Sequence, residues 1–282
     1  MTRQKHREGY RDERGAEPGK EWNEKRKSRR RRKRRKARIR FLASMLGTLL
    51  GAVLLVLVAY TALNLFCGFG KVNTQKLREQ GYPESLIALV ERNPETKDFV
   101  LDYPKYKGLE EIDISKEVTK GEIPHFLQWD ERWGYETYGS DFLAVTGCGP
   151  TSLSMVVCGL TGDTKWNPYE VAKMAEDNGY YVDGSGSSWE LMSSGAEKLG
   201  LTVSSVIFDA EHIRATLESG QPIICVMGPG DFTDAGHFLV LTGVDQEGDI
   251  ILQDPNSVER TKQHWDVQKL MNQMKNLWSY RV

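Results

Sequence analysis

Cysteine is scarce in this sequence, and the few cysteines lie far apart. The chain of 282 residues has four, at positions 67, 148, 158 and 225. No two of them form a Cys-x-x-Cys pair, the spacing typical of structural zinc sites. Four scattered thiols are also too few for the disulfide framework that stabilises small secreted scaffolds. The sequence therefore predicts a domain that folds around a hydrophobic core, without structural zinc or a disulfide network.

Net charge is also nearly absent, at −1, but the two signs are separated along the chain. Residues 1–40 hold 19 Lys and Arg against 6 Asp and Glu, whereas residues 41–282 hold 19 against 33. Affinity for nucleic acid depends largely on Lys and Arg side chains that neutralise phosphates. The acidic main part of the chain is therefore not expected to bind nucleic acid.

Charged side chains are absent from residues 41–66, a run of 26 positions. At about 1.5 Å per residue, a helix of this length exceeds the roughly 30 Å hydrocarbon core of a bilayer. A cleaved signal peptide is the main alternative, but its apolar region typically has about 7–15 residues. A lipoprotein signal needs a small residue before the cysteine, and Phe66 precedes Cys67. We expect an uncleaved transmembrane helix in contact with the lipid bilayer.

The residues before this run predict its orientation. Residues 25–40 contain 13 Lys and Arg in 16 positions. By the positive-inside rule, the N-terminus is cytoplasmic and the chain after the span is extracytoplasmic. A basic run of this kind can also bind anionic lipid or nucleic acid, an alternative that the sequence leaves open. We expect residues 1–40 to be a basic disordered tail, since residues 1–24 are polar and lack apolar periodicity.

The chain beyond the span falls into two parts. Residues 67–120 are charged and interrupted by prolines, which predicts an extended stalk with one short amphipathic helix over 85–92. Over residues 121–282, glycines and aromatics become frequent and apolar periodicity becomes regular. Helical patterns come first and most strand patterns later, an order typical of an α+β domain. Helices are expected over 148–160, 168–178, 188–199, 210–219 and 265–274, and strands over 201–208, 222–227, 237–244, 249–253 and 277–282.

Three residues of this domain indicate nucleophilic catalysis. Cys148 stands between two glycines at the start of a helix, where the positive end of the helix dipole lowers a thiol pKa. The glycines would let a substrate backbone approach, and the Cys148 N–H would stabilise an oxyanion. His237 begins an apolar strand and would act as general base and then general acid. Asp254 ends the following strand, and its carboxylate would orient the imidazole if the two strands are neighbours.

Each of these residues also has a plainer interpretation. A single Cys or His on an apolar element more often packs in a core, and an Asp before a proline is often only part of a turn. The joint arrangement, in this order along the chain, is what favours catalysis. Cys158 and Cys225 are expected to be small buried hydrophobes, with a disulfide between them left open. The remaining histidines lack ligand-like spacing with carboxylates, so no metal is expected.

The stretch from about residue 121 to 280 resembles the C39-like cysteine peptidases, a papain-like family of bacteria. The segments that carry the resemblance are Ile123-Pro124, Gln128-Trp129-Asp130-Glu131-Arg132-Trp133-Gly134, Gly147-Cys148-Gly149-Pro150-Thr151, Gly236-His237-Phe238 and Asp254-Pro255-Asn256. The resemblance implies a papain-like cysteine peptidase fold, in which N-terminal helices precede an antiparallel sheet.

The resemblance also implies roles for single residues. Cys148 would be the nucleophile, His237 the base and Asp254 the orienting acid. Gln128 would be a donor in the oxyanion hole. Asn256 is an alternative orienting residue, since papain-type enzymes use Asn in that role.

Two departures from the family limit the substrate that can be carried over. The leader-processing branch places a Gln a few residues before the Cys and is fused to an export ATPase. Here residues 141–147 contain no Gln, and the chain has no Gly-x-x-x-x-Gly-Lys-Ser/Thr phosphate loop. Cleavage of double-glycine leaders is therefore not implied, and Gln128, twenty residues before Cys148, is the oxyanion candidate.

Together these observations predict a single-pass protein of the bacterial plasma membrane with an extracytoplasmic cysteine peptidase domain. It would hydrolyse a peptide or amide bond through a thioester acyl-enzyme and would need no cofactor. The expected partner is a peptide or protein substrate, with cell-wall peptides as one class. A peptidoglycan amidase or endopeptidase and a catalytically silent surface binding domain of the same fold are the alternatives, and thiol acyl transfer would use the same residues.

Overall fold

The structure, a computed structural model, describes residues 18–69 and 72–282. The chain divides into two units, with the boundary between residues 71 and 72. The first unit is helical over its described residues, and every strand in the described part of the chain belongs to the second.

A helix of 52 residues, α1 (Pro18–Phe69), contains the whole uncharged run of residues 41–66. By length and composition, its segment Arg29–Val58 can cross a membrane, a property that an N-terminal signal sequence shares. The described apolar side chains of this segment are exposed. An exposed surface of this size, covered by apolar side chains, is the kind that lipid or another apolar partner covers.

The disorder expected for residues 1–40 is wrong for residues 18–40, which belong to α1. Lys and Arg have high helix propensity, and extending an existing helix adds one hydrogen bond for each residue that is fixed. The basic stretch therefore prolongs the apolar helix in place of a disordered tail. Residues 1–17 lie outside the described residues.

The extended stalk expected over residues 67–120 is also corrected by the structure. The segment folds into three short helices, α2 (Thr74–Glu79), α3 (Glu84–Arg92) and α4 (Lys97–Asp102), with 3-10 turns at Pro94–Thr96 and Tyr103–Lys105. The helix expected over 85–92 is α3. The apolar side of α3 and α4 is buried in a cluster that includes Tyr135, whose ring stacks on Phe99 at a centroid distance of 4.2 Å. Burial of these apolar side chains, which the charged composition concealed, docks the segment on the rest of the unit.

The next elements surround the longest buried helix of the second unit. They are β1 (Thr137–Tyr138), β2 (Asp141–Phe142), α5 (Leu143–Thr146), α6 (Cys148–Thr161), α7 (Pro168–Asp177), β3 (Tyr181–Val182), β4 (Gly186–Ser187), a 3-10 turn (Trp189–Met192) and α8 (Ser194–Lys198). The helix expected over 188–199 is thus interrupted. Ser193 has φ −111° and ψ −91°, outside the helical region, while the preceding Leu191 and Met192 are buried.

A five-stranded antiparallel sheet follows, with the strand order β5-β9-β6-β7-β8. The elements of this part are β5 (Thr202–Ser205), α9 (Ala210–Glu218), β6 (Ile223–Met227), β7 (His237–Val244), β8 (Ile250–Gln253), α10 (Val258–Thr261), α11 (Val267–Met271) and β9 (Met274–Arg281). The helix expected over 265–274 is shorter, because Met274 already pairs with Met227 in the sheet. The sheet contains no parallel pair.

Side chains alternate across this sheet and create two buried clusters. Ile224, Val226 and Val240 face the cluster that contains the apolar residues of α6 and α7. Cys225 and Leu239 face the opposite cluster, with the apolar residues of α9 and α11. The period of two along a strand separates the faces, and each face is covered by helices. The expected α+β class, with helices ahead of an antiparallel sheet, is confirmed.

Candidate active site

Cys148 is the first residue of α6 and lies at the edge of the buried core. Its side chain is partly exposed, whereas the following turns of α6 are buried. As the first helical residue, Cys148 has a backbone N–H with no acceptor in its own helix. The positive end of the helix dipole lies at the same point and favours an anion there. A thiolate, or an oxyanion formed beside it, is therefore stabilised at this position.

The glycines on either side of Cys148 are required by packing. A Cβ atom on Gly147 would lie 2.4 Å from the backbone oxygen of Leu143, and one on Gly149 would lie 2.4 Å from Oγ of Ser187. The space at both glycines is thus filled by the protein itself. The expectation that they admit a substrate backbone is corrected: they allow α6 to start tightly after α5 and to pack against β4.

His237 begins β7, beside Met227 of β6. Its side chain is buried, and its Nε2 atom lies 2.7 Å from Oδ1 of Asp254. This contact leaves Nδ1 as the imidazole nitrogen available to Cys148. The side chains of Cys148 and His237 interact directly, and each shifts the pKa of the other.

Asp254 follows β8 and is completely buried. Besides His237, its carboxylate accepts hydrogen bonds from Nε of Arg260 at 2.5 Å and from the backbone N–H of Asn256 at 2.8 Å. Burial alone would disfavour the charged carboxylate, but His237 and Arg260 hold the pKa of Asp254 below its ordinary value. Asp254 is therefore a fixed negative charge behind the imidazole.

The charges of the pair favour a thiolate next to an imidazolium. Burial opposes ionisation of the thiol, but His237 and the backbone N–H groups of Gly149 and Phe238 outweigh it and lower the pKa of Cys148. Burial also opposes the imidazolium, yet Asp254 and Cys148 raise the pKa of His237 to about 10. Since the thiol pKa falls and the imidazole pKa rises, a single proton shared by the pair resides on the imidazole.

Gln128 reaches the same region from the loop before β1. Its Nε2 atom donates to the backbone oxygen of Ala144 at 2.7 Å, and its backbone N–H donates to the oxygen of Pro255 at 2.7 Å. The amide nitrogen carries two hydrogens, so one remains for a further acceptor. Within the described chain, Oε1 of Gln128 has no hydrogen-bond partner. Trp133, from the same sequence segment as Gln128, is buried in the core. Gln128 lines the cleft.

Asn256, the alternative orienting residue, hydrogen-bonds to a different residue. Its Oδ1 atom accepts a hydrogen bond from Nδ2 of Asn93 at 3.1 Å. Its backbone N–H donates to Asp254. Asn256 thus supports the turn that holds Asp254, while Asp254 makes the contact with His237.

A cleft of about 850 Å³ opens at this point. Gln128, Cys148 and His237 all line it. One wall is the loop of residues 230–236, directly before His237, and another is formed by Leu89 and residues 92–95. A peptide in this cleft would have a thiol, an imidazole and an amide donor within one surface.

Three residues at this site escaped the sequence analysis. Arg260 binds Asp254, and Asn93 and Glu95 bind the turn after it. Glu95 and Asn93 fell in the expected stalk, and the sequence offers no local pattern that pairs an Arg with an Asp six residues earlier. A fourth residue is His125, for which the sequence analysis gave no role beyond the absence of metal-ligand spacing; its Nε2 atom lies 2.7 Å from the backbone oxygen of Asp254.

Cys158 and Cys225 lie outside the cleft and are free thiols. Cys158 packs on one face of the sheet and Cys225 on the other, so the disulfide left open by the sequence does not form. Burial raises the pKa of Cys158 to about 12 and also raises that of Cys225. Among the residues that the structure describes, no cluster of His, Cys, Asp and Glu could hold a metal ion.

Comparison with known proteins gives one family. The profile of the Peptidase_C39 like family matches residues 120–282. A crystal structure from Bacillus anthracis, classed as that of a C39-like peptidase, aligns with 58% of this chain and 97% of its own, at 19% identity and a TM-score of 0.34. No curated protein matches the sequence significantly.

Proposed function

The chain belongs to the Peptidase_C39 like family, and we propose that it is a cysteine peptidase in which Cys148, His237 and Asp254 form the catalytic triad. The family includes inactive members, so the proposal depends on the site itself. The observation that carries it is geometric: Cys148 and His237 line one cleft, and Nε2 of His237 is held 2.7 Å from the buried carboxylate of Asp254. A packed core has no need for a thiolate at the mouth of a cleft.

The reaction follows from these positions. Sγ of Cys148 attacks the carbonyl carbon of a peptide bond, and the negative charge that develops on oxygen is stabilised by the Cys148 N–H and by Nε2 of Gln128. The imidazolium of His237 gives its proton to the leaving nitrogen as the C–N bond breaks, and a thioester remains. Water then attacks the thioester while the neutral imidazole accepts its proton, and the acid product and free thiolate are released.

The proposed location is the outer face of a bacterial plasma membrane. The uncharged residues 41–66 lie within α1, which supports a membrane span. The 13 Lys and Arg of residues 25–40 support a cytoplasmic N-terminus. The second unit would then act outside the cell on a peptide or protein substrate.

Hydrolysis of a fluorogenic peptide library by the full chain in detergent tests this function. We expect turnover that disappears in Cys148→Ala and persists in Cys158→Ala, a matched loss of a thiol in the core. Mass spectrometry of a rapidly quenched reaction should detect an acyl group on Cys148. Purified peptidoglycan, offered in parallel, separates a wall hydrolase from a general peptidase. Absence of turnover and of acylation on every substrate would contradict the proposal.

A further inference from the structure

Part of the cleft is built by residues that precede the family match. The match begins at residue 120, but the wall formed by Leu89 and residues 92–95 comes from α3 and the 3-10 turn after it. This wall is firmly held, because Leu86 and Ile87 of α3 are completely buried. Burial of such apolar side chains stabilises the contact. The segment is therefore a fixed part of the unit.

Glu95 binds the start of α10. Its carboxylate accepts a hydrogen bond from Oγ of Ser257 and from the backbone N–H groups of Val258, at 2.8 Å, and Glu259, at 3.3 Å. These groups are among the unsatisfied donors of a helix N-terminus, which a carboxylate pairs well. One side chain of the preceding segment thus fixes three successive residues next to the cleft.

Asn93 binds the same turn one step earlier. Its Nδ2 atom donates to the backbone oxygen of Asn256 at 2.6 Å and to Oδ1 of that residue at 3.1 Å. Its own Oδ1 accepts from the backbone N–H of Glu95 at 3.1 Å, which ties the Asn93 side chain to the backbone of Glu95. The amide nitrogen of Asn93 therefore attaches the segment to the turn, and the amide oxygen fixes residues 93–95 relative to one another.

The turn that these residues hold also holds Asp254. The backbone N–H of Asn256 donates to Oδ1 of Asp254, and Arg260 donates to Oδ2. Oγ of Ser257, which donates to Glu95, accepts in turn from the backbone N–H of Arg260 at 3.0 Å. Asn256 and Arg260 thus fix the carboxylate of Asp254. Asn93 binds Asn256 directly, and Glu95 binds Ser257, which in turn binds Arg260.

We infer that Asn93 and Glu95 are positioning residues of the active site, which hold the turn of residues 254–260 so that Asp254 faces His237. The effect on catalysis rests on the proposed function, whereas the effect on the turn does not. The segment before residue 120 is then required for full activity, although it lies outside the matched family domain.

The test uses the full chain in detergent with Glu95→Gln and Asn93→Ala. Glu95→Gln keeps the shape but turns an NH₂ group toward backbone donors, so it should loosen the turn without removing volume. Glu91→Gln is the control. Glu91 is an exposed residue of α3, and in the described chain its ion pair is with Arg78. Two quantities are measured: amide hydrogen exchange over residues 254–261, and the pH dependence of Cys148 alkylation by iodoacetamide.

We expect faster exchange over residues 254–261 in both variants and an upward shift of about one pH unit in the alkylation midpoint, equal to about tenfold slower alkylation on the acid limb. Glu91→Gln should match the wild type. Folded variants with wild-type exchange and midpoint would overturn the inference. If Glu95→Gln does not fold, Ser257→Ala, which removes one donor to Glu95, is measured in the same way and decides. An ordinary thiol midpoint in the wild type would overturn the proposed function, and the exchange data would still decide the positioning role.

Discussion

The Nε2 atom of His237 lies 2.7 Å from Oδ1 of Asp254, and both side chains are buried. His237 begins β7 and Asp254 follows β8, so the antiparallel pairing of these two strands brings the residues together. The contact orients the imidazole and supplies the negative charge that keeps it protonated. The protonation state of the His237 imidazole is therefore controlled by the carboxylate of Asp254, which is itself completely buried.

Replacing Asp254 by Asn should change the alkaline limit of activity. The charge of Asp254 contributes to the raised pKa of His237, which is about 10 in the wild type. Activity needs the imidazolium to protonate the leaving group, so it ends as pH rises through this pKa. In Asp254→Asn, the alkaline limb of kcat/KM should move down by about one to three pH units.

The pH profile of Asp245→Asn is the control for this change. Asp245 also contacts a histidine, His264, at 2.6 Å, but that histidine is exposed and neither residue lines the cleft. The control should keep the wild-type alkaline limb. An unchanged limb in Asp254→Asn would mean that the carboxylate does not set the charge of the imidazole.

Gln128→Ala should separate turnover from thiol reactivity. Loss of an oxyanion donor typically lowers kcat by about 10²–10³. Alkylation of Cys148 by iodoacetamide forms no oxyanion, so its rate should stay near the wild-type value. Stopped assays of hydrolysis and alkylation on the same sample measure both, with the exposed Gln268→Ala as control. If hydrolysis and alkylation slowed together, Gln128 would have a structural role in the site and would not be an oxyanion donor.

Gly149→Ala should destabilise the fold. Alanine normally favours a helix over glycine by about 1 kcal/mol, but here its Cβ would lie 2.4 Å from Oγ of Ser187. Overpacking of this kind costs about 1–3 kcal/mol in the free energy of unfolding. Denaturant unfolding should show the loss, and adding Ser187→Gly should recover part of it. Gly236→Ala, which meets no atom within 4 Å, should change stability by less than about 0.5 kcal/mol. Equal stabilities for Gly149→Ala and the wild type would refute the packing role.

The uncharged run within α1 should anchor the chain. After expression in a bacterial host, the full chain should stay in the membrane pellet during alkaline carbonate extraction, with an intact mass. Charged residues near the centre of a span cost about 2.5–3.5 kcal/mol each in insertion, so Leu54→Asp combined with Val56→Asp should release the chain. Leu109→Asp, at an exposed position outside α1, should not. A shortened mass that lacks residues 41–66 would identify a cleaved signal peptide instead.

The sequence predicted the site where its parts are close in the topology. Cys148 is marked by its place at a helix start, and His237 and Asp254 by their places at the ends of two consecutive strands, a relationship that a short connection makes probable in space. The sequence failed where contacts are distant: Asn93 and Asn256 are 163 positions apart, and no local pattern links them. The charged composition of residues 67–120 also concealed the few apolar side chains, such as Leu86, that dock the segment.

The glycines beside Cys148 illustrate a different limit. A glycine at a helix start predicts a close approach of some kind, but the sequence does not identify the approaching group. The structure identifies the approaching groups as parts of the protein itself: Leu143 packs against Gly147, and Ser187 packs against Gly149. The same holds for Arg260, whose contact with Asp254 depends on the path of the turn between them.

The rate at which iodoacetamide alkylates Cys148 at pH 6 tests the central claim most directly. At this pH an ordinary thiol is protonated and reacts slowly. Peptide mapping of the full chain by mass spectrometry resolves each thiol, and the buried Cys158 serves as an internal control. Rapid labelling of Cys148 alone, lost in His237→Ala, is the predicted result. Labelling of Cys148 at the rate of a free thiol, with or without His237, would contradict the thiolate–imidazolium pair and the peptidase proposed from it.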